Sequence, residues 1–298
     1  MREAPLFSVV IPTYNRVSFI GKALNSVLNQ SYRHFEVIVI DDASMDDTQE
    51  VVASIIDTKI RFFRKAVNEE RAAARNCGVR HAKGQYVTFL DSDDILKIDC
   101  LAEANDFLQQ HPDATIFHFG YDIVQLDGKI KHRWKPLPNP VNDKLIEGNC
   151  LSCIGVFIRR EVLIQFPFNE DRDLSASEDY ELWMRLAANY PIYTCRKSTA
   201  CLVDHEARSV FMTDAGKLKK RIERLKYYLT KDPSVQARFG AQFNKINSFL
   251  DIYLALHLTM SFHYGEGLRT LFRSLLAFPG IVLSYRFWVV AKKLLLRY

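Results

Sequence analysis

The chain has 298 residues, 48% of them hydrophobic and 25% charged, enough apolar content for a full buried core and too much for a disordered chain. The formal net charge of +5 is spread along the sequence and concentrates only at residues 286–297, which excludes a dedicated nucleic-acid face and favours an anionic membrane surface instead. Residues 1–6 hold no apolar run of signal-peptide length, so a cytoplasmic setting with six reduced cysteines is expected, and the lone Cys150-x-x-Cys153 lacks a second pair at zinc-ribbon spacing.

In chain order, residues 7–11, 35–40, 60–63 and 86–90 are β-branched and aromatic runs of strand length, each closing in polar residues. Between them, residues 17–28, 48–56 and 71–82 carry apolar side chains at helical spacing. This alternation predicts an α/β fold, a mostly parallel sheet with helices on both faces. The ligand site of such a sheet lies beyond the carboxyl ends of its strands, which places residues 12–16, 41–44 and 91–94 around one crevice.

Residues 114–134 read as two strands around the turn Asp127-Gly128. Residues 135–142, with Pro136, Pro138 and Pro140, read as a lid or acceptor loop, and residues 178–188 as a helix burying Leu182, Trp183 and Leu186. The pattern then divides the chain into a first unit, 1–210, and an amphipathic helical region, 211–298. No part of the second reaches the roughly 18 apolar residues of a spanning helix. Phe287, Trp288, Val289 and Val290 beside Lys292, Lys293 and Arg297 suit a helix lying on a membrane surface, and equally a helical cap on the first unit.

The sharpest chemical signal is Phe89-Leu90-Asp91-Ser92-Asp93-Asp94, a strand running into three carboxylates. Like charges this close repel, so the cluster makes sense either as a solvated acidic turn or as a site whose charge is offset by a hard divalent cation, Mn²⁺ or Mg²⁺. Such ions take one or two protein carboxylates and complete their shell with phosphate and water, so a diphosphate is the natural ligand.

Context narrows the choice. Val9-Val10-Ile11-Pro12-Thr13-Tyr14-Asn15-Arg16, Asp41-Asp42-Ala43-Ser44, Arg75-Asn76-x-Gly78, Asp91-x-Asp93 and Ser177-Glu178-Asp179-Tyr180-Glu181-Leu182-Trp183 occur in that order. Together they resemble the family 2 glycosyltransferases, inverting enzymes of the GT-A fold, over about residues 8–183. The resemblance implies a nucleotide-sugar donor, a UDP-sugar in the first instance, and transfer to a glycan hydroxyl; the basic, aromatic tail suggests that the acceptor is a saccharide or lipid-linked glycan met at the inner face of the cell membrane. The resemblance also implies that Pro12, Thr13, Tyr14 and Arg16 lie along the nucleotide, that Asp41 or Asp42 bonds the base, that Arg75, Asp91 and Ser92 border phosphate and ribose, that Glu178 also belongs to the nucleotide-sugar site, and that Asp93 or Asp94 holds the metal. Asp179, in the Glu178-Asp179 pair, corresponds to the general base; first-turn acids complementing a helix dipole would give the same pattern. His205 is matched to metal or diphosphate and Arg208 to a phosphate contact. Two alternatives remain, a sugar nucleotidyltransferase, which ordinarily begins with a glycine-rich phosphate loop absent before Gly21, and a catalytically silent nucleotide-sugar-binding protein.

Overall fold

The computed structural model describes residues 7–205 and 214–296. Strands β1 (Phe7–Thr13), β2 (Phe35–Asp41), β3 (Ile60–Arg64) and β4 (Tyr86–Phe89) form a parallel block in the order β3-β2-β1-β4. Val9, Ile11, Val37 and Val39 pack to one side of it and Val10, Ile38 and Ile40 to the other, so both faces are buried and the strands read as unbroken apolar runs. Helices α1 (Ile20–Leu28) and α2 (Thr48–Ser54) cover the first side, and α3 (Glu70–His81) the second.

Past β4 the pairing changes. Strands β5 (Ile95–Leu96), β6 (Ile116–Gln125), β7 (Ile130–His132), β8 (Val156–Arg159) and β9 (Ile192–Asp204) extend the sheet to β3-β2-β1-β4-β8-β6-β9-β5, with β7 on β6. Here β4–β8, β8–β6, β6–β7 and β9–β5 are antiparallel, and only β6–β9 is parallel. The parallel part is thus confined to the β3-β2-β1-β4 block and one later pair. The hairpin turn falls on Asp127-Gly128 as read, with Gly128 at φ 84°, a conformation a Cβ would oppose.

Helices α4 (Cys100–Gln110), α5 (Arg160–Gln165) and α6 (Glu178–Asn189) complete the α/β unit. The proline-rich segment, read as a lid or acceptor loop, is bonded to β9 along its second half. Thr194 donates its hydroxyl to the Pro138 carbonyl at 2.8 Å, Val141 N–H reaches the Ile192 carbonyl at 3.0 Å, and Asn142 accepts from Ile192 N–H at 2.9 Å, fastening the segment along β9. Backbone bonding of this kind restrains that half of the segment.

The C-terminal region forms α7 (Ala215–Lys231), α8 (Pro233–Phe239), α9 (Phe243–Met260), α10 (Tyr264–Ala277) and α11 (Tyr285–Leu296). Leu218, Ile222, Leu225, Val235, Phe239, Ile246 and Leu250 from α7 to α9 share one apolar core with Trp183 and Leu186 of α6. A smaller cluster, including Ile252, Leu271, Ile281, Phe287 and Val290, joins α9 to α10 and α11. No helix of the described residues is long and apolar enough to cross a membrane.

Candidate active site

A cleft of about 570 Å³ opens at the carboxyl ends of β1 and β4. Pro12, Thr13, Tyr14, Arg16, Asp42, Arg75, Asp91, Ser92, Asp93, Glu178 and Asp179 all line it, so residues spread over most of the α/β unit meet in one place. Four residues other than glycine hold positive φ at its edge or in the turns feeding it: Asn15 (51°), Ala43 (66°), Glu70 (74°) and Ala176 (69°). Strain of this sort persists where the surrounding bonds over-determine the backbone. Around Asn15 and Ala43 those bonds are Asn15 N–H to Ser44 Oγ at 2.9 Å and Met45 N–H to Asn15 Oδ1 at 2.8 Å.

The two acids after β2 have separate surroundings. Asp41 is wholly buried; its Oδ1 accepts from Ser44 N–H at 3.0 Å and from the Ser44 hydroxyl, and its Oδ2 faces the Arg64 guanidinium at 3.5 Å. Asp42 lines the cleft and accepts from Glu69 N–H at 3.0 Å, from Glu70 N–H at 2.8 Å and from Lys65 Nζ at 3.1 Å, which satisfies donors at the start of α3. After β4 the acids again divide. Asp94 is buried and accepts from Val203 N–H of β9 at 2.9 Å, while Asp93 lines the cleft with its Oδ2 3.1 Å from His205 Nε2 and 3.6 Å from Arg16 Nε.

Arg75 is the hub of the floor. It is 2% exposed, donates Nη2 to Asp91 Oδ1 and Nη1 to Glu178 Oε1, each at 2.8 Å, and stacks over Phe168. A buried pair of this geometry ties the end of β4 to the start of α6 through α3, and removing one partner would strand a charge. The neighbouring motif residues explain how α3 gets there. Asn76 donates to the Phe168 carbonyl at 2.9 Å and accepts from Phe168 N–H at 2.9 Å. Gly78 sits against β1, where an added Cβ would lie 2.3 Å from Val10 Cγ1.

Asp179 occupies the first turn of α6, where the helix N-terminus favours a carboxylate. Its Oδ1 accepts from Tyr180 N–H at 2.7 Å and its Oδ2 from Asn149 Nδ2 at 3.0 Å. Part of the residue remains accessible from the cleft. Burial of the carboxylate and the adjacent Glu178 charge nevertheless push its pKa up to about 6, against the opposing pull of Arg75 and of the two hydrogen bonds. Cys153, also in the cleft wall, has its thiol pushed well above the ordinary range by burial and is no nucleophile at neutral pH.

Asp93 and His205 are the pair suited to a divalent cation. They bring a hard carboxylate oxygen and an imidazole nitrogen together, and the buried Nδ1 of the same ring has no hydrogen-bond partner. No group of three or more His, Cys, Asp or Glu is arranged around an ion among the described residues. An ion carried on a diphosphate needs only one or two protein ligands, so the pair fits that group. Arg208 lies outside the described residues.

Several cleft residues carried no sequence signal: Asn68, Glu70, Arg71, Tyr121, Asn149, Leu151, Ser152, Ala176 and Leu202. Most stand on loops or strand edges without a repeating pattern, and only their position after a strand or beside a motif could have suggested them.

The model of the family described as Glycosyl transferase family 2 matches residues 8–165. A putative teichuronic acid biosynthesis glycosyltransferase of Bacillus subtilis, TuaG, is 32% identical over 206 residues, covering 67% of this chain and 79% of the relative. WfaP of Escherichia coli, a UDP-Glc:alpha-D-GlcNAc-diphosphoundecaprenol beta-1,3-glucosyltransferase, is 28% identical over 183 residues, covering 61% and 70%. The chain spans between 66% and 79% of the length of the first two curated relatives it matches. Among solved structures, Staphylococcus aureus TarS 1-349 in complex with UDP-GlcNAc superposes with a TM-score of 0.61 at 18% identity, over 94% of this chain and 91% of that one. The mannosyltransferase PcManGT of Pyrobaculum calidifontis, in complex with GDP-Man and Mn²⁺, gives 0.60 at 17% identity over 99% and 88%. At these identities the likeness concerns the fold, which is of the GT-A type.

Proposed function

The chain belongs to glycosyl transferase family 2 and is a glycosyltransferase, and from that premise we propose that it moves a sugar, with inversion, from a UDP-sugar to a hydroxyl of a lipid-linked saccharide during surface-polysaccharide assembly. The observation that carries this reading is the convergence of Tyr14, Asp42, Asp91, Asp93 and Asp179 on a single cleft. WfaP and TuaG, whose names give a UDP-glucose donor with a diphospholipid acceptor and a teichuronic acid pathway, support the substrate classes.

In this reading Tyr14, 38% exposed, offers a ring face to the uracil, and Asp42 in place of Asp41 supplies the acceptor for its N–H. Thr13 Oγ1, buried without a partner, is available to the nucleotide, and Asp91, oriented by Arg75, borders the ribose with Ser92. Asp179 accepts the proton of the acceptor hydroxyl as that oxygen bonds to the anomeric carbon. The bond from that carbon to the diphosphate oxygen breaks on the opposite face, and UDP leaves. A carboxylate poised near pH 6 suits this step, because it is ionised at neutral pH yet basic enough to take the proton. Asp93 and His205 would hold the Mn²⁺ or Mg²⁺, whose charge offsets that of the departing diphosphate. Arg16, 3.6 Å from Asp93, adds a cation on the same side.

A lipid-linked acceptor would be met at the inner, cytoplasmic face of the membrane, where the C-terminal helices offer a surface to lie on it. Leu276, Leu283, Tyr285, Trp288 and Leu295 are all at least 60% exposed on α10, α11 and the turn between them, with Lys292 and Lys293 alongside. The functional test is a panel of nucleotide sugars with Mn²⁺, followed by proton NMR of the product's anomeric coupling. Turnover of a UDP-sugar to product of inverted configuration supports the reading, and a retained configuration refutes the single displacement.

A further inference from the structure

The loop before β8 grips α6 at two consecutive residues. Tyr180 donates its hydroxyl to the Leu145 carbonyl at 2.6 Å, and Asn149 donates Nδ2 to Asp179 Oδ2 at 3.0 Å. Between these anchors the chain turns through Gly148, whose φ of 121° excludes a side chain and whose N–H bonds the Leu145 carbonyl at 3.1 Å. The orientation of the Asn149 amide is fixed by chemistry. Leu151 N–H approaches Asn149 at 3.2 Å and can only donate, so the carbonyl oxygen must face it and the NH₂ is left for Asp179.

We propose that Asn149 is a positioning residue for glycosyl transfer, its side-chain amide holding the Asp179 carboxylate in the cleft with one oxygen fixed and its lone pairs turned to the acceptor. The inference rests on Asp179 being the base. Apart from the Tyr180 backbone bond, Asn149 supplies the side-chain donor on Asp179; the other groups facing it are Glu178 on its own helix, Arg75 from α3 and the Cys153 thiol from the loop. Arg75 already bonds Asp91 and Glu178, so it acts on Asp179 through charge alone. A neutral donor at this position stabilises the ionised carboxylate without neutralising it, which a cation there would do at the expense of basicity.

The full-length protein, labelled at the Asp carboxyl carbon, is titrated by NMR with the Asp179 signal assigned from its loss in Asp179→Asn. Losing a donor to the charged form must raise the midpoint, so Asn149→Ala is expected to titrate at higher pH than wild type. UDP binding with Mn²⁺ should be unchanged by calorimetry, and kcat on the selected UDP-sugar should fall about ten- to a hundredfold with KM held, as for a misplaced reacting group. Asn149→Ser, which keeps a hydroxyl donor, should recover part of both. An Asp179 midpoint in Asn149→Ala equal to that of wild type overturns the proposal, whatever happens to kcat. Wild-type transfer by Asp179→Asn would instead overturn the base assignment, and the two failures are separately readable.

Discussion

At the scale of single residues, the chemistry depends on which acids are held away from the cleft and which are left in it. Asp41 and Asp94 are each closed off by backbone donors, Ser44 and Val203, whereas their neighbours Asp42 and Asp93 face the cavity. At Asp179 burial and the adjacent Glu178 charge raise the pKa to about 6. A base must be ionised, so kcat/KM is expected to lose activity as pH falls through about 6 and to be flat above it until another group titrates. An acid limb near pH 4, an ordinary aspartate's range, would show that the carboxylate is not so perturbed. The sign for stability is opposite to that for activity. A carboxyl whose folded pKa exceeds its unfolded value favours the fold below that range and loses this contribution as pH rises through 6, so the ionised Asp179 carboxylate works against stability at neutral pH.

At the scale of elements, α3 organises the site, since Arg75, Asn76 and Gly78 each serve a different neighbour: the Asp91–Glu178 pair, the Phe168 backbone and Val10 of β1. Gly78→Ala forces a methyl within 2.3 Å of a buried valine, so the helix must move off the sheet. Overpacking of that kind costs about 1–3 kcal/mol, and a lower melting temperature together with weakened UDP binding is expected by calorimetry; unchanged values would mean that the contact relaxes freely. Much of this framework was legible from sequence. The parallel strands are buried on both faces, which makes them continuous apolar runs, and the acids follow strand ends or open α6, while Arg75 lies within α3. The later strands were harder. In β9 the polar stretch Arg196, Lys197, Ser198 interrupts the pattern, and β8 is only four residues long, so neither shows a period. The attachment of the proline-rich segment to β9 was not legible for a related reason: it runs through Thr194 and Asn142, contacts that only the fold creates. Asn149, too, reaches Asp179 from 30 residues away, and the Cys150-x-x-Cys153 beside it gives no hint of that contact.

At the scale of the whole molecule, the C-terminal helices do two things. The first three share the core with α6, and α7 braces the turn ahead of Asp179: Arg224 and the Tyr228 hydroxyl both bond Asp171, and Arg221 donates to the Ser175 carbonyl at 3.2 Å. The last two expose aromatic and leucine side chains beside lysines, which suits shallow insertion into an anionic surface. Because Leu276 and Leu295 are exposed and outside the core clusters, Leu276→Glu with Leu295→Glu should abolish co-sedimentation with anionic vesicles while leaving the melting temperature within about a degree or two, as for exposed substitutions. Unchanged sedimentation would remove the membrane from the account. In the proposed mechanism Asp179 takes the acceptor's proton in a cleft that binds the donor independently of it. The most direct measurement of this is the transfer rate of Asp179→Asn beside its affinity for UDP and Mn²⁺: affinity should stay within about twofold while transfer falls by about 10²–10⁴, the usual worth of a general base, and transfer at the wild-type rate would contradict it.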